Sequence, residues 1–137
     1  MSGWVTFLMG GRELAGALDE VREVVRASGI ESLTGTRAPV TGLLELRGTP
    51  VPVVDLRTAA DPDGTGDVLV LDTADGPVGL AVDKVLAVVG RDDLRPAGPG
   101  SPRPAGIASY VVEVRHEPTG RPVLVVSLTA LAGLVPA

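Results

Sequence analysis

Cysteine is absent from this chain, which excludes disulfides and thiolate metal sites and fits a reducing compartment. Histidine occurs once, at His116, so no histidine-based catalytic triad is easily assembled. Aromatic residues make up 2% of the chain, and any core must be aliphatic. Lys84 is the sole lysine and the net charge is −5; a nucleic-acid binder needs a concentrated basic surface, so nucleic acid is not an expected partner. The longest uncharged run, Pro122 to Ala137, is shorter than the roughly 20 residues of a membrane helix. It reads as a strand followed by a short helix, and no direct membrane insertion is expected. Met1-Ser2-Gly3-Trp4 has neither a basic nor an apolar signal region, which predicts a cytoplasmic protein.

What is present points to strands. Hydrophobic residues reach 45%, mostly Val, Leu and Ala, alongside 18 glycines and 12 prolines. Val favours strands and Gly and Pro favour turns, so the expectation is an all-β domain. At 137 residues the chain suits one domain or two small packed halves, burying roughly two-thirds of its unfolded surface. Turn chemistry and alternation predict strands near 3–9, 14–18, 21–27, 40–47, 50–56, 67–73, 77–82, 85–90, 107–115 and 121–126, with a helix near 128–134.

The chain also repeats itself. Asp19-Glu20-Val21-Arg22-Glu23-Val24-Val25 recurs as Asp83-Lys84-Val85-Leu86-Ala87-Val88-Val89, a displacement of 64. Glu45-Leu46-Arg47 recurs as Glu113-Val114-Arg115, displaced by 68, and Pro50-Val51-Pro52-Val53-Val54-Asp55-Leu56 recurs as Pro122-Val123-Leu124-Val125-Val126-Ser127-Leu128, displaced by 72. The growing displacement places extra residues in the second hairpin, around Arg115 to Arg121, where Pro118-Thr119-Gly120 supplies turn chemistry. Two duplicated five-stranded barrels follow as the expectation, residues 1–60 and 66–137 of one 1–137 unit, joined by Asp61 to Gly66 and sharing an apolar interface.

The stretch Gly42 to Arg57 reads as two strands turning at Arg47-Gly48. Pro50 and Pro52 remove two backbone donors on the same side of the second strand, so one edge is expected not to pair normally. Arg47 is either a solvated charge or a planar fork offered to a partner's carboxylates or carbonyls, with Gly48 allowing close approach.

Motifs with chemical potential have plainer readings. Asp61, Asp63 and Gly66 open a partial calcium loop, but its twelfth position is Asp72 where a bidentate Glu is expected, and its flanks read as strands. Asp72-Thr73-Ala74-Asp75-Gly76 echoes an aspartic-protease loop without the glycine after Thr73, and Asp75-Gly76 suits a hairpin turn. Gly10-Gly11 reads as a turn rather than a phosphate cradle, His116 as a surface residue in a turn, and Ser127 lacks a nucleophile elbow. No enzyme activity, metal or cofactor is expected; a calcium-regulated or hydrolytic β domain on Asp61, Asp63 and Asp72 is the alternative.

Gly42-Leu43-Leu44-Glu45-Leu46-Arg47-Gly48 followed by Val51-Pro52-Val53-Val54-Asp55-Leu56-Arg57, together with Val21-Arg22-Glu23-Val24 and Val78-Gly79-Leu80-Ala81-Val82-Asp83-Lys84-Val85, resembles the signature of CheW-like chemotaxis coupling proteins, from about Trp4 to Leu134. The resemblance implies two five-stranded SH3-like barrels and a non-catalytic scaffold joining the chemoreceptor helix bundle to a CheA-type histidine kinase, in an array at the inner face of the membrane. It places Val21, Glu23, Gly42 and Arg47 in the receptor-contacting region, and Gly79 and Val85 in the corresponding second-half region. Related domains serve non-chemotactic receptor–kinase pathways. Gly16 stands where that family usually has a larger aliphatic residue and Leu14 where an aromatic is common, which implies looser packing there. Ser127 replaces an Asp or Asn before the terminal helix.

Overall fold

The structure, a computed structural model, describes residues 3–32, 40–57, 66–96 and 111–133. Ten strands carry the fold: β1 (Gly3–Met9), β2 (Arg12–Ala17), β3 (Val21–Arg26), β5 (Gly42–Leu46), β6 (Thr49–Asp55), β7 (Asp67–Thr73), β8 (Gly76–Val82), β9 (Lys84–Gly90), β11 (Val111–His116) and β12 (Pro122–Val126). Two-residue strands β4 (Glu31–Ser32) and β10 (Arg95–Pro96), and one helical turn α1 (Leu128–Leu131), complete it. The two short strands were not legible in the sequence, since neither is long enough to show alternation. Expected residues 58–65, 97–110 and 134 lie outside the described residues.

Two six-stranded sheets form, in the orders β10-β11-β12-β2-β1-β9 and β4-β5-β6-β8-β7-β3. Replacing each strand by its counterpart six places along the chain converts one order into the other, so the duplication is exact at the level of topology. The sheets do not follow the expected division into 1–60 and 66–137. The first hairpin, β1-β2, joins the sheet of β9 to β12, and the hairpin β7-β8 joins the sheet of β3 to β6. Each repeat therefore lends its leading hairpin to the other. The two seams where the exchange occurs are the parallel pairs β12-β2 and β6-β8; the remaining strand pairs are antiparallel. Parallel neighbours cannot be joined by a tight turn, which is why these pairs bring together strands distant in sequence.

Strand alternation sorts the apolar residues into three cores. Val5, Phe7, Leu14, Val54, Leu69, Leu71, Leu80, Val82, Leu124 and Val126 meet Leu128 and Leu131 of α1 between the two sheets. The intervening residues fill the sheets' own interiors: Val53, Val68, Val70 and Ala81 in one, Ala15, Val123 and Val125 in the other. Strands buried on both faces read as near-continuous apolar runs, as β7, β8 and β12 do.

Several expectations are corrected by packing. The vacancy at Gly16 is filled, because a Cβ there would lie 2.5 Å from Leu128 Cγ; the helix supplies the bulk that the strand lacks. Leu14 is fully buried. Strand β6 is not an edge, since β8 pairs with Val53, Val54 and Asp55. The prolines lie in the half of the strand before that pairing begins, so only this half has an unpaired side. The turn between β7 and β8 is Ala74-Asp75, with Gly76 at φ 113° opening β8. His116 closes β11 opposite Pro122 instead of lying in the turn. Ser127 caps α1, its hydroxyl accepting a 3.3 Å bond from the Ala130 N–H.

Candidate partner-binding surface

Strand β3 is the terminal strand of its sheet, and its residues alternate between half-buried Val21, Glu23 and Val25 and exposed Arg22, Val24 and Arg26. At the other end of the same sheet, β5 and β6 turn through Arg47 and Gly48, at φ 48° and 82°. Two successive positive φ angles are what a two-residue hairpin turn with the right twist requires. Gly48 adopts them freely; Arg47 is the sole non-glycine residue with positive φ among those described, which carries a backbone cost.

The sheet curls until its ends meet. Arg47 Nη1 and Nη2 donate to Glu23 Oε1 and Oε2 at 3.0 and 2.7 Å, a bidentate pair joining β3 to the β5–β6 turn. Arg22 extends the pair, with Nε 3.9 Å from Glu23 Oε2 and Nη1 3.4 Å from Asp72 Oδ1. Arg47, Glu23, Arg22 and Asp72 thus form a charge-balanced row with alternating signs. Hydrogen bonds from Arg47 hold the Glu23 carboxyl below its ordinary value against the opposing effect of burial, and the same pair raises the Arg47 guanidinium above its own. Arg22 and Asp72 went unrecognised in sequence as members of this row. The β3–β7 pairing, with Val21 opposite Leu71, is what brings them together.

The structure therefore brings Glu23 and Arg47 together, whereas Val21 packs half-buried against the core between the sheets. Gly42 serves backbone approach at the β4–β5 pairing, where a Cβ would lie 2.8 Å from Ile30 Cγ2 and 3.1 Å from the Glu31 carbonyl. Gly79 is interior: its Cβ would sit 2.8 Å from Val68 Cγ1 and 3.2 Å from Val53 Cγ2. Val85 belongs to the other sheet, half-buried against the shared core, with its N–H donated to Asp67 Oδ2 at 2.9 Å.

The opposite sheet places an arginine differently. Arg115, the repeat counterpart of Arg47, lies over the Trp4 ring at 5.0 Å, donates to the Leu94 carbonyl at 2.9 Å and pairs with Glu113. It fastens the barrel wall, whereas Arg47 remains 66% exposed while paired. The large hydrophobic residues exposed among those described are Val24 on β3 and Leu86 and Val88 on β9, and β3 and β9 are equivalent terminal strands of the two sheets.

The residues of the calcium and hydrolytic alternatives are only partly described. Asp61 and Asp63 lie outside the described residues, Asp72 is committed to Arg22, and no cluster of three or more metal-ligating side chains occurs among the described residues. The Thr73 hydroxyl donates to the Gly76 carbonyl at 2.6 Å and accepts from the Asp75 N–H at 3.2 Å, which are turn contacts.

Two intertwined β-barrels with a fixed ionic row at one rim and apolar strips on their terminal strands define a protein-interaction module. A CheW-like domain model matches residues 3–135, and the chain belongs to the CheW-like domain family, a scaffolding family whose fold has two SH3-like subdomains. Among solved structures, the scaffolding protein TtCheW from Thermoanaerobacter tengcongensis is similar at a TM-score of 0.69 and 18% identity, over 93% of this chain and 84% of that one. No curated protein sequence matches. No helix among the described residues is long and apolar enough to cross a membrane.

Proposed function

We propose that the chain is a non-catalytic adaptor that couples the cytoplasmic helix bundle of chemoreceptors to a CheA-type histidine kinase, in a receptor array at the inner face of the membrane. The Arg47–Glu23 pair is the observation that carries this reading. It holds a guanidinium, already bonded yet largely exposed, at the β5–β6 turn, on a sheet whose terminal strand also exposes the apolar Val24, a combination suited to an amphipathic helix with acidic or carbonyl groups flanking an apolar stripe. Val21 on β3 adds to the receptor-contacting region in this reading, and Gly42 acts on it through the close β4–β5 approach that it permits. Val85, with Leu86 and Val88 on the equivalent strand β9, forms the second region, whereas Gly79, interior to the other sheet between Val68 and Val53, acts only through packing. Coupling then needs only that two surfaces of one rigid body be occupied together.

A pull-down with a receptor cytoplasmic fragment and the kinase tests this. The chain should retain both at once, and Arg47→Glu should lose the receptor while keeping the kinase. Retention of neither partner by the parent chain would refute the reading.

A further inference from the structure

One ion pair stands apart from the partner regions, where β2 begins beside β12. Glu13 on β2 has its side chain 4% exposed and is the one buried charged residue among those described. Arg121 Nε approaches Glu13 Oε1 at 3.5 Å, with the Arg121 side chain 59% exposed. The fold does not require this pair. The leading hairpins β1-β2 and β7-β8 share one register, Met9 opposite Arg12 and Thr73 opposite Gly76, 64 residues on. That displacement carries Glu13 to Pro77, and the displacement of 72 relating β6 to β12 carries Arg121 to Thr49. The equivalent parallel seam of the other sheet is thus built with no charge at either position. A carboxylate withdrawn from water is costly unless something offsets it, and closing the barrel does not demand it.

The pair borders a cavity of about 200 Å3, lined by Gly11, Arg12, Glu13, Arg121, Pro122 and Leu124. Glu13 offers an acceptor to a cation. Arg121 meets Glu13 through Nε, which leaves its two Nη groups to donate to a second acceptor, and Arg12 adds another guanidinium. The Arg121 backbone is held by its carbonyl, which accepts from the Glu117 N–H at 3.0 Å, and by the proline that follows it. Pro122 and Leu124 supply an apolar wall. Gly11, at φ 77°, leaves open space where a Cβ would stand. The volume is below the roughly 300–1,000 Å3 of sites for drug-sized ligands, which limits the occupant to a molecule of a few heavy atoms. A lone anion would be repelled by Glu13 and a lone cation by the two arginines. A molecule that carries both charges on one carbon suits all three side chains.

We propose that this cavity binds a free α-amino acid with a small apolar side chain. Its ammonium group meets Glu13, its carboxylate meets Arg121 with Arg12 beside it, and its side chain packs on Pro122 and Leu124. The cavity belongs to the sheet of β2 and β12, whereas Arg47 closes the other one, so a small-molecule input enters the adaptor away from its ionic rim.

Titration of the full chain with L-valine, followed by calorimetry and by amide chemical shifts, tests the site. Saturable binding with a dissociation constant of about 1 mM or tighter is expected, with shifts at the Gly11, Arg12 and Leu124 amides. Isovalerate lacks the ammonium group and isobutylamine lacks the carboxylate, and each should bind about tenfold or more weakly than L-valine. Glu13→Gln and Arg121→Gln should each lower the affinity for L-valine about tenfold or more. Arg121→Gln, at a largely exposed side chain, decides the matter if Glu13→Gln does not fold. No saturation by L-valine up to about 50 mM, an affinity unchanged in either folded variant, or isovalerate binding as tightly as L-valine would overturn the proposal.

Discussion

Arg47 and Glu23, 24 residues apart, close the two ends of one sheet through a bidentate pair of 3.0 and 2.7 Å. The contact lies between the first and the last long strands of the sheet, so it marks barrel closure as well as the rim where a partner is proposed to dock.

Charge exchange separates these two roles. Arg47→Glu should weaken receptor-fragment binding about tenfold or more, with the thermal midpoint near that of the parent because the pair is solvated. The double variant Glu23→Arg with Arg47→Glu restores the pair but reverses its orientation. If it recovers binding, pairing alone matters; loss of binding with an unchanged midpoint is the expected result, since the exposed guanidinium at the turn is then gone.

Gly16 and Leu128 share one volume, with an added Cβ falling 2.5 Å from Leu128 Cγ. Gly16→Ala should cost about 1–3 kcal/mol by overpacking, and Leu128→Ala about 2–5 kcal/mol by leaving a cavity. The double variant should be more stable than the sum of the two losses, because each change relieves the other. Chemical denaturation of all four proteins measures the coupling, and strict additivity would contradict the shared volume.

Gly79 lies between Val68 and Val53, where any side chain intrudes on backbone-adjacent methyl groups. Gly79→Val should destabilise by about 1–3 kcal/mol or more, seen as a lower urea midpoint. Its effect on partner binding should track this loss and vanish once comparisons are made under conditions where the variant is fully folded.

Asp55 and Arg57 form a largely buried pair of 2.8 Å, and hydrogen bonds from Arg57 hold the Asp55 carboxyl below its ordinary value. A depressed folded-state value contributes stability above the unfolded carboxylate range and loses it as pH falls through the folded value. Arg57→Ala should therefore lower the thermal midpoint at neutral pH and flatten its decline under acid. An undiminished acid dependence in the variant would show that other carboxylates govern it.

The ten long strands, their turns at Gly10-Gly11 and Arg47-Gly48, and the duplication were legible in the sequence because alternation, turn residues and repeats are local properties. Among the site residues, Glu23 and Arg47 were legible as candidates by resemblance. Their mutual contact was not, because it depends on how far the sheet curls. Gly42 and Gly79 could not be separated in sequence from surface glycines, since the close approach each permits comes from strands elsewhere in the chain.

By itself the sequence determined an all-β, twice-repeated chain with no thiol and a single histidine. Which hairpin joins which sheet was decided only in three dimensions. Two copies of one motif offer each leading hairpin two nearly equivalent places, so local complementarity does not choose between them. At one crossing the connection is short: β8 passes to β9 through Asp83 alone, fewer residues than the two of a tight hairpin. The strands therefore cannot fold back as antiparallel neighbours and enter different sheets. Asp83 fastens that crossing, its N–H donated to the Leu8 carbonyl at 3.2 Å and its Oδ2 accepting from the Gly10 N–H at 2.9 Å.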